Sequence, residues 1–457
     1  DIKDLYEVED IVFEVDNKSL TNRPDLWGHY GIAREFAALT GRELKPLDLT
    51  EPVYDGDNKI AVNVLNKDLV YRYSCVKFGN IKRQKSPLNM RIRLFYCGMR
   101  AINFLADITN YIMLELGQPT HAFDATKIDS IAIGTPEKEL VFKTLDDTER
   151  NIGTDTLLIY NNDTPVAIAG IMGGLDSEII DGTSSVVLES ANFDGVSVRK
   201  SSSALGLRTD ASMRYEKILD PELTQAAIYR FANLLSKYDD GAVCASKITD
   251  EYVKKYPEIE LKFDKKYVDR YTGINIENDR ILTTLTLLGF DCKEENGDFT
   301  VKVPTWRATK DVTLKADIIE EITRIYGYDN FDIHTTATPV YPIRPDVEKT
   351  VEEKIKDILV KRFSLHESHS YVWMYYDECK ALGIDIEDNI KLVNATNPNI
   401  EVIRKSIVPT QLCQVRINNT FAPDFGVFEV GRVVEGLRED GLCNERKKMY
   451  NERTLIL

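Results

Sequence analysis

A stretch of about 18 apolar residues, the length needed to cross a bilayer, is missing from this 457-residue chain, so no transmembrane helix is expected. The first ten residues, DIKDLYEVED, contain neither a basic nor an apolar leader region, so no secretion signal is expected. They also lack Met, and the chain is expected to begin inside a longer protein. Cysteine is sparse and scattered: Cys75, Cys97, Cys244, Cys292, Cys379, Cys413 and Cys443 are odd in number and form no CxxC pair. That argues against a disulfide framework or a zinc knuckle and suits a reducing cytoplasm. Positive charge is short as well, with 58 Lys and Arg against 74 Asp and Glu, a net charge of −16. A protein held to nucleic acid by its bulk field is basic. Any RNA contact here must be local, or carried by a partner or by missing segments. No GxxxxGK[ST] loop, HIGH or KMSKS stretch offers an ATP site, and no GxSxG marks a nucleophile. Of five histidines, His366 and His369 lie in HESH, which lacks the HExxH order of a zinc site. No internal repeat or low-complexity tract is visible.

Hydrophobic residues make up 43% of the chain, enough for several cores, and the length suggests three or four domains. Residues 1–54 read as a β-prone stretch around Val12 and Val15, then a helix. Pro24 suits a first helical turn, Gly41 suits the position after a helix, and Ile32, Phe36 and Leu39 predict its buried face. Asn22, Arg23 and Asp25 suit capping and a local ion pair. Residues 55–248 mix strand-like pieces (Ala61–Leu65, Tyr71–Val76, Leu157–Tyr160, Val166–Ile171, Val186–Leu188) with helical ones (Pro87–Cys97, Pro221–Leu235), an α+β pattern. Gly173 and Gly174 read as a plain turn. Residues 254–330 read as a small helical domain, with helices at Leu282–Phe290 and Asp311–Tyr326. A further α/β unit occupies 335–457.

The most informative stretch is Gly98–Asp124, GMRAINFLADITNYIMLELGQPTHAFD. It gathers a cation (Arg100), a polar pair (Thr109 and Asn110) and His121, which the nearby Pro119 places in a loop. A histidine there can titrate near neutral pH or simply bond to backbone. Elsewhere Glu189 follows the apolar run Val186–Leu188 and reads as a strand-end carboxylate. Asp317, Glu320 and Glu321 share a helical face opposite Ile318, Ile322 and Ile325, with Asp311 at the expected cap. Clustered hard oxygens suit Mg²⁺, but a solvated face with Arg324 paired to Glu320 or Glu321 fits the same spacing.

The Gly98–Asp124 stretch closely resembles the editing-domain motif of the β subunits of bacterial phenylalanyl-tRNA synthetases. Five further stretches resemble the same family in the same order: NKSLTNRPDLWGHYGIARE (Asn17–Glu35), AIAGIMGG (Ala167–Gly174), LESANFD (Leu188–Asp194), LGLRTDASMRYEK (Leu205–Lys217) and DVTLKADIIEEITRIYGYD (Asp311–Asp329). The resemblance covers nearly the whole chain.

It implies a multidomain α+β protein with a B1-like segment (1–54), a B3/B4 editing domain (55–248), a small helical B5 domain (254–330) and part of a noncatalytic class II synthetase-like α/β domain (335–457). Relative to the family, the N-terminal tRNA-binding segment and the C-terminal anticodon-binding domain are expected to be missing. The implied activity is hydrolysis of tyrosine wrongly attached to tRNA(Phe). ATP-dependent charging belongs to the α subunit, and the implied assembly is an α₂β₂ heterotetramer in the cytoplasm. Glu189 would read the tyrosine hydroxyl, while Gly170 and Ala211 would line the ring pocket. His121, Thr109 and Asn110 would hold water or the ester, and Arg100 would contact the tRNA 3′ end unless it pairs with Asp107 or Glu115. Asp311, Asp317, Glu320 and Glu321 would hold Mg²⁺ shared with the α subunit. The alternative is a scaffold for the α subunit with weak or no editing.

Overall fold

A computed structural model describes residue 8 and residues 10–335, 337–422 and 424–455. Most of the DIKDLYEVED stretch read above lies outside the described residues. The chain divides into two compact units, residues 1–333 and 334–457.

In the first unit the β-prone residues around Val12 form no strand. A 3-10 turn at Pro24–Trp27 leads into α1 (His29–Thr40), and Gly41 closes the helix in the left-handed region. The buried side of α1 is Gly31, Ala37 and Ala38, whereas Phe36 and Leu39 are 54% and 61% exposed. The expected face fails because the helix packs by backbone approach. A Cβ on Gly31 would sit 1.9 Å from the Asp25 carbonyl oxygen.

The largest module begins with β1 (Ala61–Val64), β2 (Val70–Gly79), α2 (Leu88–Tyr96) and α3 (Phe104–Leu116). Asn103 caps α3 by accepting from the Ala106 N–H at 2.9 Å, and Gly117 ends it in the left-handed region. Next come β3 (Thr120–Asp124), β4 (Ser130–Gly134), the hairpin β5 (Leu140–Lys143) and β6 (Glu149–Ile152), β7 (Leu158–Asn161), β8 (Thr164–Ile168), β9 (Met172–Gly173) and β10 (Val186–Phe193). Helices α4 (Gly195–Ala204), α5 (Asp210–Tyr215) and α6 (Leu223–Tyr238) and strands β11 (Val243–Cys244) and β12 (Thr249–Tyr252) complete it.

Two sheets result. One is antiparallel in the order β11-β2-β10-β3, with β12 also on β2; the other runs β1-β4-β7-β8-β9. Alternate side chains of the first sheet separate into two cores. Val76, Phe78, Val186, Leu188 and Ala122 pack with residues of α2, α3 and α6. Tyr73, Cys75, Val187, Ala191 and Phe123 pack with residues of β4, β7 and β8. The module is therefore helices, sheet and sheet. Its middle strand, β10, is buried along its whole length.

The segment read as a helical domain is mixed. Strands β13 (Glu260–Asp264), β14 (Asp291–Glu295) and β15 (Asp298–Lys302) form an antiparallel sheet. Around it lie α7 (Lys265–Thr272), α8 (Asn278–Leu287), α9 (Thr305–Ala308) and α10 (Lys315–Tyr326). Ile318, Ile322 and Ile325 are buried in its core, as the helical spacing predicts, and Ala38 of α1 joins them.

The second unit contains α11 (Val347–Phe363), β16 (His366–Glu367), β17 (Trp373–Met374), α12 (Tyr376–Ala381), β18 (Val402–Ile403), α13 (Val408–Asn418) and the long antiparallel pair β19 (Asp424–Leu437) and β20 (Cys443–Leu455). Strand β16 runs parallel to β19. Arg404 and Glu429 form a buried ion pair at 2.8 Å inside this unit. No helix among the described residues is long and apolar enough to cross a membrane.

Candidate functional site

Glu189 is not at a strand end. It sits mid-way along β10, opposite His121 on β3 and Cys75 on β2. His121 correspondingly lies in a strand, not a loop, because Pro119 precedes the first strand residue instead of interrupting the ladder. Both side chains point into the layer between the two sheets. There they line a cavity of about 80 Å³ with Pro119, Gly170, Gly173, Ala211 and Tyr215 among its walls.

The backbone around the cavity uses small residues where space runs out. Gly170 adopts φ +69°, and a Cβ on it would come within 3.0 Å of Tyr215 and 3.1 Å of Val198. A Cβ on Gly173 would lie 2.6 Å from His121 Cε1 and 2.7 Å from Nε2. Gly173 is therefore more than the plain turn its sequence suggests. Ala211 stands in the first turn of α5. Thr209 caps that helix, accepting from the Ser212 N–H at 3.1 Å and donating to the Ile171 carbonyl at 2.9 Å. One hydroxyl thus ties the helix start to the Gly170–Gly173 loop.

Glu189 is only 5% exposed. Its Oε2 accepts a hydrogen bond from the Tyr73 hydroxyl at 2.8 Å. Burial pushes its carboxyl up to about 7, with the Tyr73 bond opposing the shift. Burial pushes His121 down to about 4, so it is a neutral imidazole near pH 7. Its ring meets Phe123 edge-on at 4.5 Å. Tyr215 donates to the Ala191 carbonyl at 3.0 Å, and Gln118 donates to the same oxygen at 2.8 Å. The result is a small cavity holding one ionisable acid and one neutral base.

The other expected site residues do not line this cavity. Thr109 and Asn110 lie on α3, where the Thr109 hydroxyl donates to the Ala106 carbonyl at 2.8 Å. Arg100 is exposed on the preceding loop. Neither expected partner is open to it. Asp107 accepts from Ser86 and Ile102, and Glu115 is held by Arg230 at 2.6 and 2.8 Å.

The four carboxylates expected to hold Mg²⁺ do not converge. Glu321 is buried and takes both Arg307 nitrogens at 2.8 Å, with Arg324 on the same carboxylate. Burial alone would raise its pKa, but the two guanidiniums hold it down at about 2. Asp311 is not a helix cap; it accepts from Arg307 and from Asn22. Asp317 performs the capping, accepting the Thr313 and Leu314 N–H groups at 2.8 and 2.7 Å. Glu320 points to solvent. Among the described residues no group of three or more His, Cys, Asp and Glu is placed to hold a metal. This donor set does not fit a cation while Arg307 and Arg324 occupy it. The arginines belong to a larger network, in which Arg23 bonds Asp25 at 2.7 Å and Glu35 at 2.6 Å, and Arg324 also reaches Glu35. The network joins the Asn22–Glu35 segment to the β13–α10 module.

The comparisons with known proteins supply the class: these are modules of an aminoacyl-tRNA synthetase. Residues 69–240 match the B3/4 domain, 261–328 the tRNA synthetase B5 domain, and 334–450 the phenylalanyl-tRNA synthetase beta chain CLM domain. The phenylalanine–tRNA ligase beta subunit of Solibacter usitatus is 36% identical over 95% of this chain and 57% of its own length. That of Clostridium tetani is 35% identical over 99% of this chain and 58% of its own. A crystal structure of an N-terminal fragment of the Pyrococcus horikoshii phenylalanyl-tRNA synthetase beta subunit aligns with a TM-score of 0.39 at 18% identity, covering 70% of this chain and 90% of that one, a likeness too loose to define the fold. The chain is a homologue of phenylalanyl-tRNA synthetase β subunits and spans a little over half the length of the curated relatives it matches.

Proposed function

We propose that this chain edits mischarged tRNA(Phe), hydrolysing the tyrosyl ester, and scaffolds a catalytic α subunit that charges tRNA(Phe) with phenylalanine using ATP. The observation that carries the reading is the Glu189 carboxyl, buried without a cation in a small cavity opposite a neutral His121.

The chemistry follows from one hydroxyl. A largely apolar activation pocket rejects an added hydroxyl by only about 10²-fold. A second site that hydrogen-bonds the hydroxyl discriminates in the opposite sense, because phenylalanine leaves its buried polar group unpaired at about 1–3 kcal/mol. Glu189 Oε2 already accepts from Tyr73. The remaining oxygen is the acceptor for a phenol. The cavity's 80 Å³ is far below the roughly 300–1,000 Å³ of pockets that enclose a whole small-molecule ligand, so it suits one side chain with the ester outside. His121, neutral near pH 7, can orient or deprotonate the attacking water there. Gly170, Gly173 and Ala211 leave room for the ring.

Arg100, exposed outside the cavity, is the candidate contact for the tRNA 3′ end, and Thr109 and Asn110 are candidates to hold ester or water on that side. The assembly proposed is the α₂β₂ heterotetramer in the cytoplasm. Magnesium has no part in the proposal, because Arg307 and Arg324 already neutralise Glu321, and Arg307 also holds Asp311.

The test is deacylation of tyrosyl-tRNA(Phe) and phenylalanyl-tRNA(Phe) by this chain, alone and with the α subunit, with Glu189→Ala and His121→Ala alongside. Clearance of the tyrosyl ester alone, lost in both variants, is the expected result. Absence of clearance even with the α subunit would leave the scaffold reading.

A further inference from the structure

Tyr73 has no assigned part in the editing reading, yet it makes the only side-chain hydrogen bond to Glu189 among the described residues. The two face the same side of adjacent strands. Ala191 stands directly across from Tyr73 and Cys75 directly across from Glu189, so the tyrosine reaches its partner along the diagonal of the sheet. Tyr73 is fully buried, and its hydroxyl is satisfied by this one bond.

We propose that Tyr73 is the positioning residue for hydroxyl discrimination: it occupies one oxygen of Glu189 and leaves the other facing the ligand. The proposal rests on the editing reading of the cavity.

The surroundings make that single bond decisive. The titratable groups facing Glu189 are Tyr73 and Cys75 from β2, His121 from β3 and Tyr215 from α5. Burial pushes both phenols and the thiol up, and pushes His121 down to about 4. All four are neutral near pH 7, so no cation balances the carboxylate. Its ionised form is supported by the Tyr73 donor alone. Once Glu189 takes a proton, phenylalanine no longer faces an unpaired charge and the preference for tyrosine weakens. Discrimination should therefore fall as pH drops through the Glu189 titration. The Tyr73 bond favours the charged form and opposes the upward shift that burial imposes.

Tyr73→Phe deletes the hydroxyl and keeps the ring. Two readouts follow in this chain assembled with the α subunit. The first is the Glu189 titration midpoint by isotope-edited carboxyl NMR, assigned with Glu189→Gln. Loss of the bond should raise it by about one pH unit, a tenfold change in the ionisation equilibrium. The second is the ratio of kcat/KM for tyrosyl-tRNA(Phe) over phenylalanyl-tRNA(Phe). It should fall about fivefold near neutral pH and recover at alkaline pH, where Glu189 is ionised in both proteins. Equal loss of activity on both substrates with an unmoved midpoint would make Tyr73 merely structural and overturn the proposal. Should the wild-type complex clear neither substrate, the editing reading and the discrimination role fail together. The midpoint still decides whether Tyr73 controls Glu189.

Discussion

Replacing Glu189 with glutamine should stabilise the protein at neutral pH while abolishing its preference for tyrosine. Glutamine is nearly isosteric, and its carbonyl can still accept from Tyr73. The gain comes from removing a charge that has no cation. In the folded chain the carboxyl titrates at about 7, against an ordinary 4.5. At 1.36 kcal/mol per tenfold, that displacement corresponds to about 3 kcal/mol. The sign follows from proton binding. Between those two values the folded state holds the proton and the unfolded state has released it, so stability falls as pH rises through the window. Below about 4.5 both states are protonated and the carboxyl costs nothing. Above about 7 the full cost is present. The glutamine variant should therefore match wild type in acid and exceed it by about 3 kcal/mol in mild alkali. Hydrogen exchange of the β10 amides across this pH range isolates the module that carries the charge. Equal protection of the two proteins at alkaline pH would refute the reasoning, because it would mean that Glu189 is solvated or paired.

Gly173→Ala places a Cβ 2.6 Å from the half-buried His121 ring; tyrosyl-tRNA(Phe) clearance should fall at least about tenfold with the fold retained by circular dichroism, since the ring must leave its orientation. Ala211→Trp fills the cavity and should abolish clearance of the tyrosyl ester in the same assay, while leaving α-subunit binding intact in ultracentrifugation. Arg307→Ala leaves Glu321 and Asp311 buried without their shared guanidinium, and thermal unfolding should report a loss of about 3–5 kcal/mol. His121 contributes a pH dependence opposite to that of Glu189. Its folded value of about 4 lies below the ordinary 6.5, so stability is lost as pH falls through that interval, and His121→Gln should remove this acid sensitivity in denaturant titrations.

The cavity residues were legible in the sequence by motif, but their geometry was not. Glu189 read as a strand end because β10 continues through Ser190 and Asn192, whose polar side chains break an apolar pattern. Both are buried all the same, and Asn192 is satisfied by donating to the Leu219 carbonyl at 2.8 Å. Tyr73 carried no local signal: its importance depends on a partner 116 residues away in sequence. The β13–β15 sheet was missed although a signal existed. Asn296 and Gly297 both have positive φ, the mark of a tight hairpin turn, but the strand before them is highly charged and hid the pattern. The acidic helix misled for the opposite reason. Spacing put Asp317, Glu320 and Glu321 on one face, yet it could not foresee that Arg307, outside the helix, draws Glu321 inward.

Glu189 and Glu321 show what separates a structural carboxylate from a poised one. Both are buried, 5% and 3% exposed, so desolvation acts on each. Glu321 has two guanidiniums within bonding distance and is held down at about 2; it stays charged at every physiological pH and has nothing left to offer a ligand. Glu189 has one neutral donor and rises to about 7, with its second oxygen unassigned. Burial alone therefore does not mark a functional acid, and neither does a large shift, since both groups are shifted. The two shifts run in opposite directions because Glu321 has been given two guanidiniums and Glu189 only a neutral phenol; direction alone is no mark either, since burial raises Asp311 although Arg307 holds it. On the proposed editing reading the cavity takes a hydrogen-bond donor small enough for 80 Å³ and neutral enough to enter an apolar layer. A phenol meets both conditions. An ammonium or guanidinium fits less well, because its own desolvation would have to be overcome in a largely apolar layer. On that proposed reading the acidity of the chain as a whole is no obstacle to a role on RNA, for the discrimination asked of Glu189 is made on the amino acid and not on the phosphate backbone.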